Sequence, residues 1–169
     1  MPAQVARLGE FWKCVAHRRR YKAAFAISLV AIFMPDLIAF HRCVAELLQH
    51  LGFDAPELAA DQEVLSLQLE QRFSLHFVCL DQDSWFMQAD LGDALPSPGP
   101  AVLAQALRRN QLAIQAWQPV VSLDQDERLG CWLRLPCQGC DLPSMASALD
   151  AVIVCAEELL SAVDELVVC

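Results

Sequence analysis

Hydrophobic and polar residues alternate along this chain with two different periods, three to four residues in some segments and two residues in others. Apolar residues recur at helical spacing over Leu37–Leu51 and stop before Gly52, which predicts an amphipathic helix ended by a glycine. The period changes to two in Leu65–Leu69, in Phe73–Cys79 and, after a polar turn, in Trp85–Leu91. This pattern predicts one helix followed by a three-stranded antiparallel meander.

The second half of the chain continues with a helix, two strands and a final helix. Ala101–Gln111 has helical spacing after a proline-rich loop, and Leu112–Leu123 is β-prone but contains a proline, which predicts an edge or bulged strand. Leu129–Leu135 alternates as a fifth strand. From Asp141, a candidate N-cap, helical spacing runs to the end of the chain with acidic residues on the polar side. The predicted fold class is α+β in the order α-β-β-β-α-β-β-α, with helices packed on an antiparallel sheet.

Charge is distributed unevenly along the chain. Residues 1–33 contain six basic residues and one acidic residue, whereas residues 34–169 contain six arginines against 20 acidic residues, a formal charge of −14. A surface this acidic repels phosphate backbones, which disfavours nucleic acid as a partner and favours a basic or amphipathic polypeptide. The alternative is that the acidic residues only keep the protein soluble.

The N-terminal segment has three alternative interpretations. Ala23–Phe33 follows a basic cluster as in a signal peptide, but no small-x-small cleavage site follows before Pro35, and the run is shorter than the ~20 residues that span a bilayer. Residues 1–33 are an uncleaved anchor, a helical extension, or translation upstream of the true start. The third is favoured because Met34-Pro35-Asp36 suits the first turn of a helix. We therefore expect a domain over residues 34–169 after an extension of residues 1–33.

The sequence contains no motif for catalysis or metal binding. Cys137 and Cys140 form a Cys-x-x-Cys pair, but no second pair or histidine pair completes a zinc site. Other cysteines lie in apolar periodic segments, as free thiols do in a reducing cytoplasm. Asp81 and Asp83 lack the further oxygen ligands and the glycine of a calcium loop, and we interpret them as turn residues. We therefore expect no catalytic residue, no metal and no cofactor, and a binding module rather than an enzyme.

Short motifs occur in a characteristic order over most of the chain. The first predicted helix ends in Leu51-Gly52, Asn110 closes the second helix, an aspartate-rich turn covers Asp124–Asp126, and the next strand ends in Leu135-Pro136. These motifs, together with the order of the predicted elements and the acidity and size of the chain, make this sequence resemble the class I type III secretion chaperones, the Tir chaperone family. The chain departs from that pattern at Ala113–Pro119, which lacks the glycines common in the family, so the fourth strand is expected to differ.

The resemblance covers residues 34 to about 166 and implies a bacterial cytoplasmic homodimer of type III secretion chaperone-like fold. Such a protein binds the N-terminal region of a secreted effector in extended form, without ATP, and keeps it competent for export. This task needs apolar grooves and a sheet edge that accepts a strand. Candidate effector-binding residues, each alternatively a core residue, are Leu37, Phe40, Val44, Leu67 and Phe77. Candidate dimer-interface residues are Val102, Leu103, Leu107, Ile114 and Trp117.

Other partners and functions remain as alternatives. The secretion ATPase is a further candidate partner, and a membrane is disfavoured. A membrane-associated adaptor would use residues 23–33. An enzyme based on cysteine or histidine is disfavoured because no P-loop, Gly-x-Ser-x-Gly, His-Glu-x-x-His or paired Cys-x-x-Cys motif occurs.

Overall fold

The structure is a computed structural model that describes residues 13–14, 37–54, 56–70, 72–81, 83–92 and 98–167. The helices are α1 (Leu37–His50), α2 (Pro100–Arg108) and α3 (Leu142–Val167). The strands are β1 (Lys13–Cys14), β2 (Val64–Leu69), β3 (Phe73–Cys79), β4 (Ser84–Asp90), β5 (Val120–Leu123) and β6 (Leu129–Pro136). From α1 onwards, the predicted order of three helices and five strands is confirmed.

The predicted N-terminal extension lies almost wholly outside the described residues. Of residues 1–33 the structure describes only Lys13–Cys14, which form strand β1. The apolar run Ala23–Phe33 and the predicted boundary at Met34 lie outside the described residues, so the division of the chain stays a prediction. In the part that the structure describes, no helix is long and apolar enough to cross a membrane.

All strands belong to one antiparallel sheet in the order β1-β2-β3-β4-β6-β5. The predicted meander is formed by β2, β3 and β4, with Leu67 opposite Leu75 and Phe77 opposite Met87. β6 pairs with β4, and β5 lies on the far side of β6. One edge of the sheet is therefore β5. At the other side, the described part of β1 lies opposite two residues of β2, Leu67 and Gln68.

The core lies between one face of the sheet and the helices α1 and α3. The strands turn alternate residues toward these helices, and those residues are buried. Trp85 of β4 is fully buried and packs against Phe40 of α1 and Phe77 of β3, with ring centroids 5.9 and 6.0 Å apart. Burial of aromatic side chains of this size contributes much of the stability of such a core.

Local signals in the sequence end α1 and begin α3 as predicted. Gly52 has φ 88°, its N–H donates to Gln49 O, and the N–H of Phe53 donates to Leu48 O, as in a Schellman motif. At the start of α3, Oδ1 of Asp141 accepts a hydrogen bond from the backbone N–H of Ser144 at 2.9 Å. Both predicted helix ends are confirmed.

The predicted fourth strand is much shorter in the structure. Only Val120–Leu123 forms strand β5, and residues 111–119 form a loop. The Gln118 side chain accepts a hydrogen bond from the N–H of Ala113 at 3.2 Å and donates to Gln111 O at 2.6 Å. These bonds satisfy loop backbone groups that would otherwise need a neighbouring strand. The prediction of a strand over Leu112–Leu123 was therefore wrong for its first eight residues, within which the family resemblance had indicated a departure.

Candidate functional site

The structure brings the predicted effector-binding residues together, but on the covered sides of α1 and of the sheet. Phe40 is 1% exposed, and Val44, Leu67 and Phe77 are buried in the same core. Leu37 is half-buried. A side chain buried within its own chain reaches a client only if the surrounding core opens. Direct contact between these residues and a client stays a prediction.

The other side of α1 is exposed and carries different residues. Ile38 is 85% exposed, and Arg42 and Glu46 follow it at intervals of one helical turn. These three residues of α1 and the loop Cys137–Cys140 line a cavity of about 500 Å³. The sequence contained a signal for this surface, because Ile38 is an apolar residue on the polar side of the predicted helix.

Cysteines beside this cavity form no metal site. The Cys43 thiol lies 3.9 Å from the carbonyl oxygen of Cys137, and Cys140 is half-buried. Burial, with a smaller contribution from the nearby Cys43, raises the pKa of the Cys140 thiol, which therefore stays protonated at neutral pH. Among the described residues, no group of three or more His, Cys, Asp or Glu side chains could hold a metal ion.

Asp81, the other candidate ligand in the sequence, organises the turn before β4. Its Oδ1 accepts hydrogen bonds from the N–H of Asp83 and from the N–H and hydroxyl of Ser84, at 2.7–2.9 Å. Its Oδ2 lies 3.1 Å from the Arg134 guanidinium. The Ser84 hydroxyl is the main reason that the pKa of Asp81 is lowered. The prediction that Asp81 and Asp83 are turn residues agrees with this geometry.

The predicted dimer-interface residues lie on or beside an exposed apolar stretch. Leu107 is 63% exposed and Ile114 is fully exposed, whereas Val102, Leu103 and Trp117 are half-buried against the core. We call the exposed apolar residues of this stretch the α2–β5 surface: Leu107, Leu112, Ile114, Val120 and Leu123. Their role in dimerisation stays a prediction.

The β5 edge of the sheet is closed by a side chain. The Asn110 amide donates to Val121 O at 3.0 Å, and the N–H of Val121 donates to Oδ1 of Asn110 at 2.8 Å. Both outward-facing backbone groups of Val121 are thereby satisfied, as they would be by a further strand. The sequence analysis treated Asn110 only as the residue that closes the second helix and missed this contact.

The β2 edge is arranged differently. The side chains along β2 bond within the sheet: the Ser66 hydroxyl lies 2.7 Å from Nδ1 of His76, and the Gln68 amide donates to Phe73 O at 3.2 Å. Both of these partners belong to β3. These two hydrogen bonds involve no outward-facing backbone group of β2. Of those groups, the carbonyl of Val64 accepts a hydrogen bond from the Gln62 amide at 3.1 Å, and Gln68 lies opposite Lys13 of β1.

Comparison with protein-family models gives one match that covers most of the described fold. Residues 42–160 match the model of the Tir chaperone protein (CesT) family. A comparison with curated proteins finds no match.

Three of the solved structures of similar fold come from Yersinia pestis and Pseudomonas aeruginosa. A chain from the crystal structure of the Yersinia pestis type III secretion chaperone SycH in complex with a stable fragment of YscM2 has 17% sequence identity and a TM-score of 0.59, over 71% of this chain and 98% of that one. A chain of the ExoT–SpcS complex from Pseudomonas aeruginosa has 23% identity and a TM-score of 0.57, over 74% and 98%. A chain of the heterodimeric ExoU–SpcU complex from the type III secretion system of the same bacterium has 20% identity and a TM-score of 0.55, over 70% and 95%. At these identities the likeness is one of fold.

Proposed function

Because this chain belongs to the Tir chaperone protein (CesT) family, we propose that it is a type III secretion chaperone that binds the N-terminal region of a secreted effector in extended form. It keeps the effector competent for export without ATP or another cofactor. It acts in the bacterial cytoplasm as a homodimer and catalyses no reaction.

The observation that carries the proposal is the position of the β2 edge beside α1. Nε2 of His41 lies 2.7 Å from the carbonyl oxygen of Gln62, which comes two residues before β2, so α1 and the start of this edge are neighbours. An extended polypeptide gains affinity from backbone hydrogen bonds along such an edge and selectivity from side-chain pockets beside it. The cavity between α1 and the Cys137–Cys140 loop offers room for a client side chain elsewhere along α1.

The charge of the chain supports the same kind of partner. A formal charge of −14 over residues 34–169 favours a basic or amphipathic polypeptide over an acidic one. Ordering a disordered segment costs conformational entropy, so we expect several separated anchors along the client instead of one deep pocket. The SycH structure, which shares the fold, contains a fragment of another protein, YscM2.

Client capture followed by truncation tests the proposal. The full chain, tagged and expressed in the bacterium that encodes it, is purified with its bound protein, which mass spectrometry identifies. We expect a protein exported by the type III system whose binding is lost when its N-terminal region is removed. Binding that needs a folded region elsewhere in the partner, or that needs ATP, would contradict the proposal.

Matched surface substitutions test the site. Ile38→Asp on the exposed side of α1 should weaken client binding about tenfold, because it places a charge where an apolar anchor is expected. Val154→Asp is the control, since Val154 is 54% exposed on α3 and its substitution introduces the same charge. Equal binding by the two variants would exclude α1 as the client surface.

The homodimer is proposed to form through the α2–β5 surface. Five exposed apolar residues in one stretch are unusual for a surface without a partner, and a second copy would cover them. Light scattering should give twice the chain mass for the wild type, and a Leu107→Asp, Ile114→Asp double variant should be monomeric. Leu80→Asp, at another exposed leucine, should leave the dimer intact. A monomeric wild type at micromolar concentration would contradict this assignment.

A further inference from the structure

The short strand β1 occupies the edge of the sheet where a client strand is proposed to add. Lys13 lies opposite Gln68 and Cys14 lies opposite Leu67, in antiparallel register. Both residues belong to the basic N-terminal segment, whereas the five strands β2 to β6 and the three helices already complete the fold of the matched family. A segment of the chain's own therefore uses this edge.

Alternation along the β2–β3 ladder shows which backbone groups β1 can reach. The N–H of Cys79 donates to Glu63 O at 2.9 Å, so Glu63 faces β3. Because successive residues of an antiparallel strand alternate in direction, the N–H and C=O groups of Ser66 and Gln68 face outward. Lys13 lies opposite Gln68, one of these outward-facing residues. In the observed register, Lys13 can therefore exchange backbone hydrogen bonds with the outward-facing N–H and C=O groups of Gln68, as an added strand would.

Charge favours the same contact. Residues 1–33 carry six basic residues against one acidic residue. The two ends of β2 are flanked by the exposed acidic residues Asp61, Glu63 and Glu70. Opposite charges on a segment and on the edge that it meets strengthen pairing and guide it to that edge. The basic segment therefore has the charge that the acidic domain also favours in a client.

We infer that the segment at Lys13–Cys14 is an intramolecular competitor for the β2 edge, an autoinhibitory strand that an incoming effector displaces. The identity of the displacing ligand rests on the proposed function, but the occupation of the edge does not. Pairing within one chain shields the edge from aggregation while no client is bound. Because β1 contributes only two residues, a longer client strand forms more backbone hydrogen bonds and replaces it.

Disulfide trapping in the full chain tests the register directly. Lys13→Cys and Gln68→Cys, in a Cys14→Ser background, should form a disulfide under mild oxidation, since directly opposed residues lie within disulfide range. Lys13→Cys with Ser66→Cys is the control, because Ser66 is displaced by two residues along the same face. Peptide mapping by mass spectrometry should find the 13–68 bridge in preference to the 13–66 bridge. Equal amounts of both, or neither, would overturn the inference.

Hydrogen exchange tests the backbone pairing without a client. Lys13→Pro removes the amide that pairs with β2, whereas Lys13→Ala removes the same charged side chain and keeps the amide. The amide of Gln68 should exchange about tenfold faster in Lys13→Pro than in the wild type, whereas in Lys13→Ala its exchange rate should stay close to that of the wild type. Exchange that is equally fast in the wild type and in Lys13→Pro would overturn the inference.

Client affinity then tests displacement. A synthetic peptide of the captured client's N-terminal region should bind Lys13→Pro about three- to tenfold more tightly than it binds Lys13→Ala, because the edge is already free. Equal affinities would overturn the autoinhibitory role. A client peptide that binds no variant, with the 13–68 disulfide still formed, would refute the proposed function and leave the intramolecular pairing established.

Discussion

The two edges of the sheet are closed by different means. At β5, the Asn110 side chain is bonded to both outward-facing backbone groups of Val121, and α2 holds it next to that strand. At β2, the Ser66 and Gln68 side chains bond to β3, and the Gln62 amide donates to the outward-facing carbonyl of Val64 at 3.1 Å. Nearer the other end of β2, Lys13 and Cys14 of β1 lie opposite Gln68 and Leu67. One edge is therefore closed by a side chain of the fold itself, and the other is paired with a short N-terminal segment that we propose a client displaces.

This difference indicates how one small sheet can bind another chain at one edge without pairing at the other. A bare strand edge is a template for any extended polypeptide, including another copy of the protein. The Asn110 amide supplies both hydrogen bonds of a strand residue and offers no further backbone to extend the sheet. With β5 closed in this way, β2 is the edge where we propose that a client strand adds in place of β1.

Removal of the Asn110 amide should have the largest effect on stability. Asn110→Ala leaves the N–H and C=O of Val121 without their partner, which we expect to cost about 1–3 kcal/mol of unfolding free energy. Urea denaturation measures the loss. Gln111→Ala, at the next exposed residue, is the control and should change stability by less than about 0.5 kcal/mol. Equal stabilities of the two variants would show that β5 does not depend on Asn110.

A proline in β2 should affect client binding more than folding. Ser66→Pro removes an outward-facing N–H, a position where edge strands tolerate proline, and should weaken client binding about tenfold. Ser66→Ala loses the same hydrogen bond to His76 but keeps the N–H, so it should bind like the wild type. Calorimetric titration with the client peptide compares them. If both variants bind equally, the client does not pair with this edge.

The acid dependence of stability should distinguish Asp81 from Asn110. Since the folded-state pKa of Asp81 lies below its ordinary value of 3.8, its carboxylate stabilises the fold above that pH, and the contribution is lost as the pH falls through the folded pKa. Asp81→Ala should therefore lower the free energy of unfolding at pH 7 and have progressively less effect below pH 4. The cost of Asn110→Ala, from an amide that does not titrate, should stay constant over the same range. Denaturation from pH 3 to 7 tests both, and a constant cost for Asp81→Ala would contradict the first expectation.

Deletion of residues 1–33 should have the smallest effect on stability. We expect a chain that begins at Met34 to unfold within about 0.5 kcal/mol of the full chain, because β1 pairs over only two residues. Thermal melts of the two lengths measure the difference. A chain from Met34 that does not fold would refute both the predicted boundary and the minor structural role of β1.

Local signals determined the elements that could be predicted from the sequence. Gly52 ends α1 and Asp141 begins α3 because each acts on backbone groups within a few residues. Alternation over Leu65–Leu69 predicted β2, since a strand with one buried face must repeat every two residues. The order of these elements was enough to indicate the family, which the match over residues 42–160 confirmed.

Contacts between distant segments decided the rest. Helical spacing cannot tell whether an apolar residue such as Phe40 lies in the core or at a binding surface, and the structure buries Phe40 while it exposes Ile38, two residues earlier. The loop before β5 and the two edges of the sheet depend on residues that come close together only after folding. These contacts are Gln118 with Gln111 in the loop, Asn110 with Val121 at the β5 edge, and Lys13 with Gln68 at the β2 edge. The sequence by itself determined which segments form helices and strands, because those rules are local. The tertiary structure decided which edges and surfaces remain open, because exposure depends on what the rest of the chain covers.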